Sequence, residues 1–445
     1  MKNDVIHVNP ELLFRWNKAI PRYTSYPTAP QFHPIESEVF QEKISSFDKS
    51  VKPLSLYVHI PFCKTMCLFC GCSVVLNRKP ERQSLYLEYL FKEIEQVARS
   101  FSSRRDVSQL HFGGGTPTSL TEDQFEKLMA HFDKHFHLLA NAEISIEIDP
   151  RTVYADKGGK LALLKKLGFN RVSFGVQDLD PIVQEAVRRR QSEEMTVSTY
   201  YKARELGFDG INIDLIYGLP HQTVERFVKT ADRLVELRLD RIAFYSYAKV
   251  PWIKEHQKAI PDATLPSTYE KFQIYSEARA RFMEGGYTAI GMDHFSLASD
   301  TLATAYLNKT LTRNFQGYSI ALAEDMIGFG VSSIGFLENS YFQNAKDLTL
   351  YQEQLKIGNL PVMRGYVLNE DDIRRREAIL SIMCHFQIDK LKYGHLADVS
   401  PLVAEGLLEE EVDRYVATPL GRLFIRLVAS SFDAYLGKGQ FSKVV

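Results

Sequence analysis

The chain has almost no net charge. Its 54 lysines and arginines are balanced by 55 aspartates and glutamates, which leaves −1 over 445 residues. Such a balance produces no broad positive field of the kind that attracts nucleic acid. An anionic partner would therefore need a local basic pocket, and no nucleic-acid partner is expected.

Long apolar runs are also absent. No run of about 18 apolar residues occurs, so the sequence predicts no membrane-spanning helix. Residues 1–16 mix polar and apolar side chains and lack the apolar core of a secretory signal peptide. We therefore expect a cytoplasmic protein without a membrane partner.

Cysteine is scarce and unevenly placed. The chain has five cysteines, and four of them fall within Cys63–Cys72. An odd number of clustered cysteines without a secretion signal argues against disulfides and for metal chemistry in a reducing compartment. The fifth, Cys384, stands beside Met383 and Phe386 and is predicted to be a buried core thiol.

The apolar residues follow a regular alternation. The composition, 45% hydrophobic and 12% aromatic, suffices for a large core, and the length favours two domains or one barrel with extensions. Predicted strands are Leu54–Ile60, Val107–Phe112, Ala142–Ile148, Arg171–Gly175, Gly210–Ile216 and Arg241–Ser246. Predicted helices between and after them are Ser84–Arg99, Glu122–Phe136, Leu161–Leu167, Glu193–Leu206 and Thr223–Leu237. Strands that are each followed by a helix indicate an α/β fold, a partial (β/α)6 barrel, with a doubly wound sheet as the alternative.

Three regions are predicted along the chain. Residues 1–50 form an N-terminal arm covering the site, because the prolines of Pro21–Ala29 favour an extended segment. Residues 51–345 form the barrel and an extension, in which 300–345 is predicted as loops with one short element. Residues 346–445 form a mostly helical, winged-helix-like C-terminal domain. Its predicted helices are Leu348–Lys356, Asp371–Cys384, Leu402–Glu405 and Leu420–Leu436.

The cysteine cluster directly follows the first predicted strand. Cys63, Cys67 and Cys70 have the spacing C-x3-C-x2-C. Zinc sites normally take four ligands in two pairs, and no distant pair exists here. Three thiolates on one loop suit a [4Fe–4S] cluster with one iron open to a small molecule. A structural or electron-transfer cluster remains the alternative if Cys72 supplies a fourth thiolate.

Polar and glycine-rich segments follow the other strands. The run Gly113–Gly115 exposes backbone to a ligand and is neither a dinucleotide fingerprint nor a phosphate-binding loop. Alternation in the third strand places Glu143, Glu147 and Asp149 on one face, which must adjoin a polar interior. In a barrel, the carboxyl ends of the strands form the active face. The sequence therefore predicts the site at this end.

The cysteine spacing, with Phe69 just before the third cysteine, resembles the radical S-adenosylmethionine (SAM) superfamily. The resemblance implies that Cys63, Cys67 and Cys70 ligate the cluster. It also implies that the open iron binds SAM, whose reductive cleavage gives a 5′-deoxyadenosyl radical.

Further motifs resemble those of oxygen-independent coproporphyrinogen III oxidases over nearly the whole chain. They are Pro21–Ala29, Cys70–Cys72, Gly113–Thr118, Gly175–Asp178, Asp214–Pro220, Gly291–Phe295, Arg313–Tyr318 and Gln440–Val445. This resemblance implies an oxidoreductase of haem biosynthesis. The reaction converts two propionates of coproporphyrinogen III to vinyl groups and gives protoporphyrinogen IX.

The resemblance also implies roles for individual residues. The first SAM would be lined by Tyr57, Phe69, Gly114, Glu147 and Ile334. A second SAM would be bound by Gly115, Thr116, Gln177, Arg189, Asp214 and Ala248. Cys72, Arg22 and Tyr23 would be catalytic, with Cys72 outside the cluster and Arg22 and Arg189 offering positive charge to the substrate carboxylates.

Two other functions remain open at this point, a radical SAM haem-trafficking protein and a haem-modifying methyltransferase. Trafficking relatives would be expected to lack the Cys70-Gly-Cys72 pair and the Pro21–Ala29 segment, and both are present. We expect a monomer that needs an electron donor and an electron acceptor, neither of which the sequence identifies.

Overall fold

The computed structural model describes residues 8–320 and 323–444. The parts of the predicted arm at Met1–His7 and of the predicted closing motif at Val445 lie outside the described residues. None of the helices in these two ranges has the length and apolar character needed to cross a membrane.

Six parallel strands form the centre of the fold, as predicted. In chain order the barrel strands are Leu54–Ile60, Asp106–Gly114, His137–Ile148, Arg171–Gln177, Gly210–Tyr217 and Arg241–Ser246. Neighbours in sequence are neighbours in the sheet, and each pair is parallel. The sheet does not close on itself, because its two flanking strands pair with other elements. The prediction of a partial (β/α)6 barrel is therefore confirmed.

Helices cover the outer face of these strands. They span Pro80–Arg99, Glu122–His135, Gly159–Lys166, Pro181–Ala186, Glu193–Glu205, Val224–Leu237 and Thr268–Glu284. Local sequence fixes several starts: Thr121 and Gln124 form a capping box, and so do Ser267 and Glu270. The outward side chains of the strands are fully buried against these helices, for example Phe112 against Phe132.

The inward side chains of the same strands are polar. The alternation that buries Ile144 and Ile146 outward turns Ser145 and Glu147 inward. The fifth strand likewise turns Asn212 and Asp214 inward. The barrel therefore has an apolar shell and a polar interior, as the third strand predicted.

The segment 300–345 differs from its prediction as loops with one short element. Its described part contains helix Thr301–Leu307 and five strands. These strands are Leu311–Asn314, Gly317–Ile320, Met326–Phe329, Ile334–Leu337 and Ser340–Asn344. The glycines that suggested loops are packing positions: a Cβ on Gly328 would lie 2.9 Å from the Ile334 backbone. The prediction was wrong because glycine is required both in turns and in short strands whose backbones lie in close contact.

Both edges of the barrel are extended. The first barrel strand pairs in parallel with Met326–Phe329, and the sixth pairs antiparallel with His294–Leu297, itself paired with Tyr287–Ala289. Ile334–Leu337, Ser340–Asn344 and Val362–Val367 continue the sheet antiparallel, and the short strand His33–Pro34 ends it.

The C-terminal region has a second core. Its helices span Glu370–His385, Lys390–Tyr393, Ser400–Ala404, Pro419–Leu423 and Ile425–Ser430, around the strands Gln387–Asp389, Leu408–Glu410 and Arg414–Ala417. The predicted helix Leu420–Leu436 is broken at Phe424 and ends early. Cys384 is buried in this core, as predicted. Helix Leu348–Lys356 and strand Val362–Val367 lie after the predicted boundary at 346 yet pack with the barrel, so the three-domain division stays a prediction.

The N-terminal arm packs against both cores. It contains helices Pro10–Trp16 and Ser37–Phe47, which were not predicted, and the non-helical segment between them. Trp16 Nε1 donates to Glu405 Oε2 at 2.5 Å, and its ring packs edge-on against Phe424. The first part of the arm is therefore held by the core that follows the barrel, whereas helix Ser37–Phe47 packs in the barrel core.

Candidate active site

The cysteine loop leaves the carboxyl end of the first barrel strand. Cys63 ends the two-residue strand Phe62–Cys63, which pairs with Val75–Leu76 and so closes the loop. Leu68 N–H donates to the Val187 carbonyl at 3.0 Å, which fixes the middle of the loop on the segment after the fourth strand. All the cysteines are free thiols: Cys67 is buried and Cys72 is exposed.

Three side chains from a segment distant in sequence donate hydrogen bonds to main-chain carbonyls of this loop. They come from Lys254 and the 3-10 helix Glu255–Ala259. Lys254 Nζ donates to the Cys72 carbonyl at 2.7 Å, His256 Nε2 to Cys70 at 2.8 Å and Gln257 Nε2 to Phe69 at 2.9 Å. We call Lys254, His256 and Gln257 the loop clamp. Sequence reasoning missed it, because side chains that bind backbone need no motif.

Each of the three predicted cluster thiols has its own polar neighbour. Cys63 Sγ lies 3.3 Å from Thr116 Oγ1. Cys70 Sγ accepts the Cys72 N–H at 3.4 Å. A hydrogen bond with the Cys72 side chain is the largest cause that lowers the pKa of Cys70, to about 6, and the Cys72 N–H contributes less. Because an iron ligand must be a thiolate, this environment favours the ligating form.

Two arginines point at the remaining thiol. Arg151 Nη2 lies 3.7 Å and Arg189 Nη1 3.6 Å from Cys67 Sγ. Both guanidinium groups also contact Asp149, at 2.6 Å and 3.5 Å. Arg189 and Asp149 were singled out by the sequence, whereas Arg151 was not. The loop is therefore in a region of positive charge.

The glycine run lies directly beside the loop. Gly114 N–H donates to Glu147 Oε2 at 3.1 Å, and the φ of Gly114 is +119°. A Cβ there would come within 2.8 Å of the His59 ring, and a Cβ on Gly115 within 2.5 Å of the Pro61 carbonyl oxygen. Only glycine fits these positions. The prediction that the run permits a close backbone approach agrees with this geometry.

A polar network crosses the barrel interior from Glu147. The Tyr57 ring stacks on His111 at 6.0 Å, and Tyr57 Oη lies 3.0 Å from His59 Nδ1. His111 Nδ1 contacts Ser145 Oγ at 2.7 Å, and its Nε2 lies 3.6 Å from Glu147 Oε1. The structure thus brings together Tyr57, Gly114 and Glu147, three residues predicted to line one SAM.

Further round the barrel, Asp214 accepts hydrogen bonds from Ser173 and Asn212 at 3.1 Å and 2.8 Å. Burial, followed by the charge of Glu147, raises the pKa of Asp214 to about 7. Arg189 Nη2 donates to the Gly175 carbonyl, and Arg189 Nε is buried without a partner among the described residues. A bound polar group would satisfy that donor.

The other predicted SAM residues lie around the same end of the barrel. Gln177 ends the fourth strand with φ +73°, Ala248 follows the sixth, and Ile334 lies beside Gly328, the partner of Tyr57 in the sheet. Phe69 is on the loop itself and packs near Leu68.

Arg22 and Tyr23, the two residues of the arm predicted to be catalytic, lie in different parts of the molecule. Arg22 Nη2 forms an ion pair with Asp293 at 2.5 Å, and its guanidinium lies 5.6 Å from the Tyr245 ring of the sixth strand. Tyr23 is buried in the C-terminal core and donates to Asp433 Oδ2 at 3.0 Å. Arg22 therefore lies at the barrel, whereas the contacts of Tyr23 are with the core that holds the arm.

The thiols fit a cluster better than a single ion. Among residues 8–320 and 323–444, no three His, Cys, Asp or Glu side chains converge on one metal position. A [4Fe–4S] cluster binds each thiolate to a different iron and needs no such convergence. Cys67 and Cys70 are nevertheless close enough to Cys63 to contribute, after burial, to the raised pKa of its thiol. The donor set therefore fits a cluster held by Cys63, Cys67 and Cys70.

Comparisons with known proteins agree with this site. The radical SAM superfamily model matches residues 57–234. Oxygen-independent coproporphyrinogen III oxidase of Synechocystis sp. is 41% identical over 97% of this chain and 96% of its own. The protein of that name from Escherichia coli is 41% identical over 98% of both chains. A solved coproporphyrinogen III oxidase from Escherichia coli, described as a radical SAM enzyme, superposes with a TM-score of 0.88. It is 40% identical, and the match covers 94% of this chain and 100% of that one. The chain belongs to the oxygen-independent coproporphyrinogen III oxidase family of the radical SAM superfamily.

Proposed function

We propose that the chain converts coproporphyrinogen III to protoporphyrinogen IX by oxidative decarboxylation of two propionates to vinyl groups, a step of haem biosynthesis. The observation that carries the proposal is the loop at the barrel mouth. The loop carries three thiols suited to a cluster and a fourth cysteine, the exposed Cys72. It lies beside Gly114, whose N–H donates to Glu147. Near-full-length similarity to proteins named for this reaction supports it.

The reaction requires a radical, because the β C–H bond of a propionate is too weakly acidic for a side-chain base at neutral pH. When bound, the [4Fe–4S] cluster and SAM supply a carbon-centred radical that removes this hydrogen atom. Release of CO2 then leaves a vinyl group and one electron for an acceptor outside the chain. The cluster would also need an electron donor from outside the chain.

The task of the protein is to hold these groups in reacting geometry. We assign Cys63, Cys67 and Cys70 to the cluster. Tyr57, Phe69, Gly114, Glu147 and Ile334 would hold the SAM at the cluster, and Gly115, Thr116, Gln177, Arg189, Asp214 and Ala248 a second SAM.

Cys72 is assigned to the substrate side of the loop. Cys72 is an exposed residue, and the hydrogen bond from Lys254 to its carbonyl fixes this part of the loop. Arg22 is assigned to the substrate as well, since a guanidinium matches a carboxylate. We further propose that the active unit is a cytoplasmic monomer.

Anaerobic turnover tests the function directly. The reconstituted, reduced protein is incubated with SAM and coproporphyrinogen III, and the tetrapyrroles are separated by chromatography. Monovinyl and then divinyl products are expected, together with 5′-deoxyadenosine. SAM cleavage without a vinyl product would overturn the proposal. Stable haem binding without turnover would indicate haem trafficking, and a methylated tetrapyrrole a methyltransferase.

Cysteine variants separate the two kinds of thiol. Cys63→Ala, Cys67→Ala and Cys70→Ala should each lose the visible absorbance of the cluster, SAM cleavage and product. Cys72→Ala should retain the cluster absorbance and lose the vinyl product. Cys384→Ala, in the C-terminal core, is the control and should retain both. Full activity of Cys72→Ala would refute its assigned role.

A further inference from the structure

A small cavity lies where the sixth barrel strand, helix Thr268–Glu284 and the C-terminal tail meet. Its lining includes Arg22, Tyr217, Ser246, Asp293, Arg426 and Val444. The centres of water-sized groups can occupy about 30 Å³ of it. Since roughly 10–15 Å³ of such space holds one water, the cavity has room for the two oxygens of one carboxylate and not for a ring.

The cavity has more positive than negative charge. Lys271 does not line the cavity but lies behind one of its walls: its ammonium is 5.7 Å from the ring of the lining residue Tyr217 and donates to the Tyr247 carbonyl at 2.8 Å. In the described ranges, neither Lys271 nor Arg426 forms an ion pair with a carboxylate. The carboxylate in the lining, Asp293, is shared by Arg22, His294 and Arg313.

The positive charges near the cavity lower one another's pKa. Burial, followed by the charges of Arg22, Arg426 and Lys443, lowers the pKa of Lys271 to about 7. Burial and Arg22 lower the pKa of Arg426 to about 9. Charges of one sign are unfavourable in a protein interior unless an opposite charge joins them. The arrangement therefore favours an anionic guest.

Two of these cations, Arg22 and Lys271, have further N–H groups that can donate to a bound anion. Arg22 uses Nη2 for Asp293, and its Nε and Nη1 have no partner among the described residues. Lys271 uses one of its three N–H groups. The Arg426 guanidinium, by contrast, already donates its N–H groups to backbone carbonyls. Arg426 would therefore attract a bound anion through its charge alone.

The cavity adjoins the predicted site. Arg22 reaches from the cavity to the ring of Tyr245, whose strand ends at Ser246, two residues before Ala248. The cavity therefore lies beside the carboxyl end of the sixth barrel strand, near a residue predicted to bind SAM.

We propose that this cavity binds one propionate of the substrate, a carboxylate that is not the one being removed. The inference rests on the proposed function, because coproporphyrinogen III carries four carboxylates. Since the chain has a net charge of −1, the attraction must come from a local site of this kind. Arg22 and Lys271 donate to the carboxylate, and it offsets the charge of Arg426.

Binding of a non-reacting porphyrin tests the proposal. Coproporphyrin III has the same four carboxylates and is fluorescent, so it is titrated into the reconstituted full-length protein. Lys271→Met removes the charge and keeps the length of the side chain. Its affinity should fall about tenfold or more, because the variant loses a hydrogen bond to a charged group. Lys271→Arg should retain most of the affinity.

A matched control separates charge from folding. Lys160 also donates to two backbone carbonyls, of Thr118 and Leu120, and burial lowers its pKa, but it lies on another side of the barrel. Lys160→Met should bind coproporphyrin III as the parent does. Cluster absorbance and thermal unfolding of Lys271→Met should match those of this control.

The outcomes distinguish the inference from the function beneath it. Unchanged affinity of Lys271→Met for coproporphyrin III overturns the inference, even if vinyl product forms. Weakened SAM binding with unchanged porphyrin binding also overturns it and assigns the cavity to the SAM carboxylate. Lys271-dependent porphyrin binding in a protein that makes no vinyl product leaves the inference standing and overturns the proposed function.

Discussion

At the scale of single residues, Arg151 has the clearest role that no motif indicated. Its guanidinium joins the thiol of Cys67 to the carboxylate of Asp149. Hydrogen bonds to cluster sulfurs and positive charge nearby raise the reduction potential of an iron–sulfur cluster. If Cys67 is a cluster ligand as proposed, we expect Arg151 to make the cluster easier to reduce.

Arg151→Met should shift the midpoint potential of the cluster to more negative values and slow reductive SAM cleavage, while the cluster still assembles. An EPR-monitored redox titration measures the shift. Arg190→Met is the control, because Arg190 is exposed and pairs with Glu185 at 2.5 Å. The same potential in parent and Arg151→Met would show that Arg151 only orders Asp149.

The sequence was sufficient to predict those site residues for which the chemistry of the site requires one residue type. Thiolates at C-x3-C-x2-C spacing, glycines that admit no Cβ and a carboxylate on an inward face each leave a pattern. Arg151 and the loop clamp leave none, because they act through a sulfur and through backbone carbonyls. Many residue types can donate to a carbonyl, so only the folded chain identifies the ones that do.

At the scale of elements, the loop clamp is the device that orders the cysteine loop. Two of its members, Lys254 and His256, hold the carbonyls of Cys72 and Cys70. A hydrogen bond contributes about 1 kcal/mol net, so losing both should make opening of the loop more than tenfold easier. The double variant Lys254→Ala/His256→Ala should therefore lose its cluster faster to a chelator.

The decay of visible absorbance under anaerobic chelation measures this rate. Lys258→Ala belongs to the same 3-10 helix, and its ammonium pairs with Glu255 at the surface, so it should decay like the parent. Equal rates in the double variant and in Lys258→Ala would contradict a holding role for the clamp.

Helix Pro80–Arg99 is tied to the barrel edge by one buried carboxylate. Glu93 accepts hydrogen bonds from the Gly330 N–H at 2.8 Å, Tyr351 Oη at 2.6 Å and Asn344 Nδ2 at 2.6 Å. Burial raises the pKa of Glu93 from 4.5 to about 7. The folded protein therefore keeps a proton on Glu93 at pH values where the unfolded chain has lost it.

This difference makes stability fall as pH rises from about 4.5 to 7, since the native state then binds more protons than the unfolded state. The loss amounts to about 3 kcal/mol. Glu93→Gln should flatten the dependence of the denaturant midpoint on pH over this range. Glu95→Gln, half-buried on the same helix and paired with Arg99, should leave it unchanged. Parallel profiles for Glu93→Gln and the parent would contradict the prediction.

Elements with long periodic patterns were predictable, and short ones were not. All six barrel strands were found because each is apolar outward and followed by a helix. The strands between 311 and 344 have four or five residues each, which is too short to show a clear periodic pattern. Their glycines fit both a turn and a close contact, so the sequence could not separate the two.

At the scale of the whole molecule, the two ends of the chain are fastened together beside the barrel. Ile20 N–H donates to the Ser442 carbonyl at 3.2 Å, and Val444 N–H to the Lys18 carbonyl at 3.0 Å. Arg426 completes the joint by donating to carbonyls on both segments, Ile20 and Pro21 on one and Ser442–Val444 on the other. Because Pro21 precedes Arg22, this joint also sets the place of the proposed substrate cation.

Arg426→Met should therefore release the arm while the barrel stays folded. The substitution leaves several buried carbonyls without a donor, each at a cost of about 1–3 kcal/mol. Limited proteolysis should cut residues 17–29 faster than in the parent, and vinyl product should fall although cluster absorbance persists. Arg422→Met removes one hydrogen bond, to Tyr306 Oη at 3.3 Å, and a cation–π contact with Phe386, and it is the control that should resist cleavage. If the arm of Arg426→Met remained as resistant as that of Arg422→Met, the joint would depend on the backbone pairs alone. Arg426 would then contribute only its charge to the cavity.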